Sequence, residues 1–385
     1  MNIAVSQMAS EEREAWPATQ PLELWSIITS LTTGGAESLV SGLNRCFADM
    51  GVNHTVIALC NASAVGNSPE TERRMATQIA EDGGRFVSLD LNRWRDPISG
   101  MLSLNRLLGQ NTPDIVHAHT VRAIPMLALS RFDGPIVFTH HNSRLSFPKA
   151  FFRYIDSVVD GYVAISAETE EIYKSQCRTP ARRISNGVSS SFLTKTDRSA
   201  PKKPLGIISV GAISEQKNYD LLIATACELH TRAEDRPLAR FKIAGAGDGL
   251  EGLRRKVESL GLSEVVEFLG ERSDVPDLLA QADVFLNTSN YEGQSVAMLE
   301  AMAMALPVVA TDVPGNRDLI SHEVDGLLIA HNQPKALADA IMRLVGDQQL
   351  YAALSKGARE AGELHSVEKT AAMHLELYHS LAPKG

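Results

Sequence analysis

The chain has no apolar run approaching the ~18–20 residues that a membrane-spanning helix needs, so no such helix is expected. It has only four cysteines, Cys46, Cys60, Cys177 and Cys227. They are scattered, with no C-x-x-C pair and no zinc-like spacing, so neither a disulfide framework nor a metal site is read from them. It also lacks an excess of positive charge: 37 basic against 46 acidic residues give a net charge of −9. That balance argues against a general nucleic-acid surface, which must be basic. Residues 1–16 carry no basic stretch followed by an apolar core, so no secretory signal is read there. The expected location is the cytoplasm, with the inner face of a membrane as a variant of it.

What the chain does contain is strand–helix alternation along nearly all of its 385 residues. Short apolar runs recur in the first half at 24–28, 54–60, 85–91, 114–119, 135–139 and 161–166. In the second half they recur at 205–210, 240–245, 265–270, 283–287, 307–311 and 326–330. Continuous rather than alternating apolar strands belong to parallel sheets covered on both faces. Twelve such strands exceed one ordinary open sheet, so the expected fold class is α/β: two doubly wound Rossmann-like domains facing across a cleft. The polar, proline-containing stretch 194–204 reads as the linker. We place an N-terminal domain at 1–195, with residues 1–20 as a leading tail, and a C-terminal domain at 204–365. A final helix, about 366–385, packs on either domain, the N-terminal one being preferred.

The segment 283–311 concentrates the chemistry. It reads as a strand, a polar loop holding Glu292, a helix holding Glu300, and a strand beginning at Pro307. Glu300 is surrounded in sequence by Val296, Ala297, Met298, Leu299, Ala301, Met302 and Ala303. An unpaired carboxylate among such residues costs several kcal/mol, so it calls for a dedicated partner. A pair of sugar hydroxyls suits it, because each carboxylate oxygen accepts hydrogen bonds. An exposed glutamate on a helix edge is the competing reading. The backbone N–H groups from Gly293 to Val296 start the helix, where anions and oxygens are favoured.

This Glu-x7-Glu segment, followed by Ala-Met-Ala and Pro-Val-Val-Ala-Thr, resembles glycosyltransferase family 4, the group 1 glycosyltransferases of GT-B fold. The resemblance extends to Gly34-Gly35-Ala36-Glu37, Asp114 to His119, Thr139 to Asn142, Ala164 to Ser166 and Asn186 to Val188. In the second half it includes Val210-Gly211, Lys217-Asn218, Ala244 to Gly249 and Phe268 to Gly270. It implies a retaining transfer of a sugar from a nucleoside-diphosphate sugar to a hydroxyl acceptor. On that pattern Glu300 holds the ribose hydroxyls, while Glu292, with Gly293, Gln294, Ser295 and Val296, faces the donor sugar. Lys217 neutralises the departing diphosphate, a role for which fixed charge is effective. Gly34 and Gly35 bring backbone amides near a phosphate, Gly211 and Gly247 border the nucleotide, and His119 contacts a sugar hydroxyl. His117 is expected to face the other way and be structural; His141 fits the pattern better than His140.

Several features qualify the pattern. The loop Ala244 to Gly249 follows a strand like a dinucleotide fingerprint but has its third glycine in the wrong place. No D-x-D triplet occurs, the pair with which metal-dependent transferases commonly hold a divalent ion; no metal or other cofactor is expected. Ala212 stands where the family usually has an arginine after Gly211, and Arg182 and Arg183 are the candidates to replace that charge. Gln294, Ala305 and Ser189 are milder departures. The expected setting is bacterial polysaccharide, lipopolysaccharide or glycolipid assembly, with a saccharide or lipid-linked acceptor. Residues 143–158, with Arg144, Lys149 and Arg153 among four aromatics, read as a basic-aromatic helix for peripheral membrane contact or as an amphipathic helix on its own sheet. The alternatives to the transferase are a catalytically silent nucleotide-binding subunit and a sugar-nucleotide epimerase on the same scaffold.

Overall fold

The structure is a computed structural model, and it describes residues 21–32, 34–65, 67–91, 96–142, 144–145, 147–233 and 237–381. The tail read for residues 1–20 lies outside them, as do Ser143, Ser146 and residues 382–385.

The first sheet has seven strands: β1 (Glu23–Ile28), β2 (Asn53–Ala58), β3 (Arg85–Ser88), β4 (Ile115–Ala118), β5 (Ile136–Thr139), β6 (Gly161–Ala164) and β7 (Ala181–Arg183). They lie in the order β3-β2-β1-β4-β5-β6-β7, all parallel. The second sheet has six: β8 (Leu205–Val210), β9 (Ala239–Ala244), β10 (Val266–Gly270), β11 (Val284–Asn287), β12 (Val308–Thr311) and β13 (Gly326–Ile329). Their order, β10-β9-β8-β11-β12-β13, repeats the pattern of the first sheet, again all parallel. In each sheet the strand order reverses beside the first strand, at β1/β4 and at β8/β11. Such reversals open a crevice beyond the carboxyl ends of the strands, where ligands bind in this architecture. Both sheets bury continuous apolar faces under helices, as in the clusters around Trp25, Ile27, Val116 and Phe138 and around Ile207, Phe241, Leu286 and Val309.

Two departures from expectation concern the elements themselves. The seventh strand, Ala-Arg-Arg, is a short edge strand with no apolar run to announce it. The basic-aromatic segment is not one long helix: Lys149–Phe151 form a 3-10 turn and Phe152–Ile155 a single α-turn. Its phenylalanines turn inward, Phe147 and Phe151 packing beside buried Phe152 on the first core, while Tyr154 stays exposed.

The chain passes between the domains at two adjacent points. Val188 and Ser366 form an isolated parallel bridge, in which Val188 N–H donates to His365 O (2.7 Å) and Val367 N–H to Val188 O (2.9 Å). Gly187 sits directly on the Val367 backbone, leaving no room for a Cβ. The stretch 194–204 then runs along the C-terminal domain. Arg198 fastens it there, donating to the carbonyls of Leu279 (3.0 Å), Ala282 and Met304. The final helix, Val367–Leu381, packs against Gly35–Asp49 of the first domain and contributes Val367, Ala371, Leu377 and Tyr378 to its core.

Candidate active site

The C-terminal side of the crevice is assembled from loops that follow β8, β9 and β11. After β8 the chain turns at Gly211 (φ 155°), and a Cβ there would lie 2.9 Å from Lys217 Cε. Gly211 therefore forms the floor on which the lysine stem rests. Gly245 (φ 157°) lies against it so closely that a Cβ would sit 1.9 Å from Gly211 O. Gly247 likewise abuts Ile213 O. The glycines of the Ala244–Gly249 loop thus serve close backbone packing between neighbouring loops.

Lys217 ends this loop, just before Asn218, a left-handed N-cap whose Oδ1 accepts from Leu221 N–H. Lys217 Nζ lies 2.6 Å from Glu292 Oε1. The Glu292 side chain is buried (3% exposed) and collects further hydrogen bonds from Ser289 Oγ (2.6 Å), Gln216 Nε2 (3.2 Å) and Asn287 Nδ2 (3.4 Å). A buried carboxylate is tolerated when so many donors meet it. Sequence reasoning missed Ser289, Gln216 and Asn287, because nothing in a polar loop announces which of its groups turn inward.

The helix Val296–Ala303 follows, capped by Ser295 Oγ accepting from Met298 N–H (3.4 Å). Glu300 lies in its second turn. Apolar packing raises its carboxyl pKa to about 8 although part of its surface remains open. No hydrogen bond or ion pair reaches that carboxylate among the described residues. The dedicated partner that its surroundings require is therefore not supplied by any of the described residues.

Across the crevice, Gly34 and Gly35 open the helix Gly35–Asp49, and a Cβ on Gly35 would meet Val296 Cγ2 at 3.5 Å. The Glu37 carboxyl curls back beneath Gly34, and burial raises its pKa to about 7. Gly293 touches the strand ends of the first domain: a Cβ there would lie 2.7 Å from His141 O. Gln294, one of the milder departures from the family pattern, reaches the interdomain crossing. Its side-chain oxygen accepts from Asn186 N–H, its Nε2 donates to Ser185 Oγ, and its carbonyl accepts from Asn186 Nδ2 (3.2 Å). Arg144 lies over the Tyr291 ring, 5.4 Å from its centroid, and 3.9 Å from Glu215. This basic side chain of the 143–158 segment thus lies at the crevice.

His119 ends β4 and is 9% exposed. His117 does not face away from it. The rings lie with centroids 4.0 Å apart, tilted by 31°, because residues two apart in a strand share a face. His117 is nevertheless fully enclosed, bonded to Tyr378 Oη and Thr139 Oγ1 (2.7 Å each). His140 and His141 do diverge: His140 Nε2 approaches Arg144 O (3.3 Å), whereas His141 Nε2 lies 2.9 Å from His119 Nδ1. Arg182 and Arg183 do not fill the place of the absent arginine. Arg182 pairs with Glu376 of the final helix, and Arg183 lies 3.4 Å from Asp318. Ala212 itself is exposed beside Lys217.

The crevice thus joins a lysine–glutamate pair, a carboxylate without a partner among the described residues and a buried histidine at the carboxyl ends of two parallel sheets. Comparison with known proteins accords with it. Residues 33–192 match the model of Glycosyltransferase Family 4, and residues 193–361 that of Glycosyl transferases group 1. The D-inositol 3-phosphate glycosyltransferase of Jonesia denitrificans is 27% identical over 80% of this chain and 75% of its own. The UDP-Gal:alpha-D-GlcNAc-diphosphoundecaprenol alpha-1,3-galactosyltransferase of Escherichia coli is 26% identical over 66% of this chain and 72% of its own. Among solved structures, Anabaena HepE in complex with UDP and glucose superposes with a TM-score of 0.76 at 19% identity, covering 94% of this chain and 100% of that one. S. aureus TarM gives a TM-score of 0.78 at 16% identity, covering 93% and 100%. Two consecutive family models spanning residues 33–361, on a pair of GT-B domains, place the chain among the group 1, family 4 glycosyltransferases.

Proposed function

We propose that the protein is a retaining glycosyltransferase that moves a sugar from a nucleoside-diphosphate donor to a hydroxyl of a saccharide or lipid-linked acceptor. The observation that carries this reading is the Lys217–Glu292 pair at the β8/β11 crossover, which presents a cation where a diphosphate would lie. In the ligand-free protein Glu292 neutralises that cation. An entering diphosphate takes over part of this charge, and Lys217 then stabilises the negative charge that grows on the leaving phosphate. Glu300 receives the ribose hydroxyls, and His119 meets a hydroxyl of the donor sugar. The amides at Gly34 and Gly35 face the phosphates from the other domain. The acceptor hydroxyl attacks the face from which the diphosphate leaves, and the leaving phosphate takes its proton. The reading uses no metal ion, in keeping with the absence of a D-x-D triplet.

An acceptor carried on a lipid diphosphate is supported by the name of the Escherichia coli relative. Lys149 and Arg153, exposed on the short turns after Pro148, offer a basic edge toward an anionic lipid surface. No helix among the described residues is long and apolar enough to cross a membrane.

A thermal-shift screen with UDP-, GDP-, ADP- and TDP-sugars tests the donor class, since a ligand that binds only the folded state raises its melting point. Transfer of labelled sugar from the stabilising donor, with the anomeric configuration read by NMR, tests retention. Stabilisation by none of the four would sink the donor assignment. Tight binding without transfer would instead favour the silent subunit, and turnover without acceptor the epimerase.

A further inference from the structure

His119 and His141 lie just beyond the ends of neighbouring parallel strands, β4 and β5. Their Nδ1 and Nε2 atoms are 2.9 Å apart, and the rings stack with an interplanar angle of 24°. The second ring nitrogen of His119, Nε2, is buried and has no hydrogen-bond partner among the described residues. A buried polar atom left unpaired in this way is uncommon and costly. Both rings are neutral at pH 7, because burial holds their pKa values far below the usual 6.5, that of His141 at about 3.

A hydrogen bond between two neutral imidazole nitrogens holds one proton. If His141 Nε2 carries it, the single proton of His119 must sit on Nε2, which becomes a donor. If His119 Nδ1 carries it, Nε2 is bare and becomes an acceptor. The unpaired nitrogen therefore has no independent state: its polarity is the complement of the bond to His141. His117 cannot impose this, since both its nitrogens are taken by Tyr378 and Thr139 and it touches His119 only through the ring face. The backbone carbonyl of His141 meanwhile abuts Gly293 of the other domain. The pair thus sits where the two halves of the crevice meet.

We propose that His141 is a positioning residue that locks His119 into one tautomer and one ring orientation, so that His119 Nε2 meets a sugar hydroxyl with fixed hydrogen-bond polarity. This inference rests on the nucleotide-sugar reading of the crevice, but the lock itself exists without ligand.

The test uses the full-length protein labelled with 15N-histidine. Long-range 1H–15N correlations report each ring's tautomer, and a His119→Gln variant assigns the signal. The wild type is expected to show one tautomer at His119. His141→Phe keeps a flat ring but removes the nitrogen, and should give two tautomers, with kcat lowered tenfold or more and KM changed much less. His141→Gln places an amide near the lost Nε2 and should restore a single tautomer and most of kcat. A mixture of tautomers in the wild type, or an unaltered His119 signal in His141→Phe, would overturn the proposal. The wild-type spectrum and His141→Gln decide it even if His141→Phe does not fold. Absence of any transfer by the wild type would count against the transferase reading alone, and the tautomer result would still judge the lock.

Discussion

Lys217 Nζ and Glu292 Oε1 stand 2.6 Å apart, one on the loop after β8 and the other on the loop after β11. The carboxylate is nearly sealed from solvent, whereas the ammonium retains about a fifth of its exposure (side chains 4% and 19%). The cation thus has a path to a ligand while its counter-charge is fixed in place by Ser289, Gln216 and Asn287.

Removing Lys217 should therefore damage both transfer and stability. Lys217→Ala is expected to lower kcat/KM by at least a hundredfold, about 3 kcal/mol of transition-state stabilisation. It should also cost about 1–3 kcal/mol of folding free energy, because a buried carboxylate loses its cation but keeps neutral donors. Denaturant unfolding and a double-mutant cycle with Glu292→Gln separate the two effects. The double variant should recover stability and remain inactive. Full activity in Lys217→Ala would remove this residue from the mechanism.

Glu300 shows the opposite arrangement, a carboxyl with no partner among the described residues. Its folded pKa, about 8, lies above that of an unfolded glutamate, so the folded state binds the extra proton between about pH 4.5 and 8. Through that window the residue costs progressively more stability as pH rises. Glu300→Gln should consequently melt about 2–5 °C above the wild type at pH 8 in the absence of ligand, and the two should converge near pH 5. The same variant should bind the stabilising nucleotide sugar at least tenfold more weakly, as read by calorimetry. Equal donor affinity would mean that the ribose goes elsewhere.

The histidines act in the other direction. Burial lowers the pKa values of His54, His117, His119, His141 and His374 well below 6.5. In the folded state they stay neutral, whereas the unfolded chain takes up protons below about pH 6.5. Their contribution to stability is present above that pH and is lost as the pH falls toward their folded values. Five such groups outweigh the three raised carboxyls, Glu37, Glu300 and Asp325, whose slope has the opposite sign. Urea midpoints measured from pH 7 to 4.5 should fall steeply; a flat profile would contradict the burial of this cluster.

Ala212 is exposed beside Lys217, so a longer basic side chain has room there. Ala212→Arg is expected to tighten the matching nucleoside diphosphate tenfold or more, since a charge-assisted hydrogen bond contributes about 1.5–3 kcal/mol. Unchanged affinity would show that the diphosphate lies away from residue 212.

The doubly wound sheets were legible because their strands are unbroken apolar runs, and only β7 escaped, having two arginines in three residues. The placement of Lys217 and Glu292 on loops that follow strands was legible too, and the structure brings the two side chains into contact. The saturation of Glu292 was not legible, because Gln216 lies 76 residues from it in the chain. The relation of His117 to His119 was legible, since residues two apart on a strand share a face, but it was misassigned. The basic-aromatic segment misled for a different reason: its composition is amphipathic, but Phe147, Phe151 and Phe152 converge on one side and leave only two short turns.

The paired crossing at Val188 and Ser366 bears on recombination between relatives. The final helix is covalently attached to the C-terminal half but completes the hydrophobic core of the other. A chimera that exchanges everything after residue 204 would import a foreign helix into that core, along with the wrong partner for His117. Exchanging residues 188–365 alone cuts the chain where its two passages already touch, and keeps the buried clusters of each half whole.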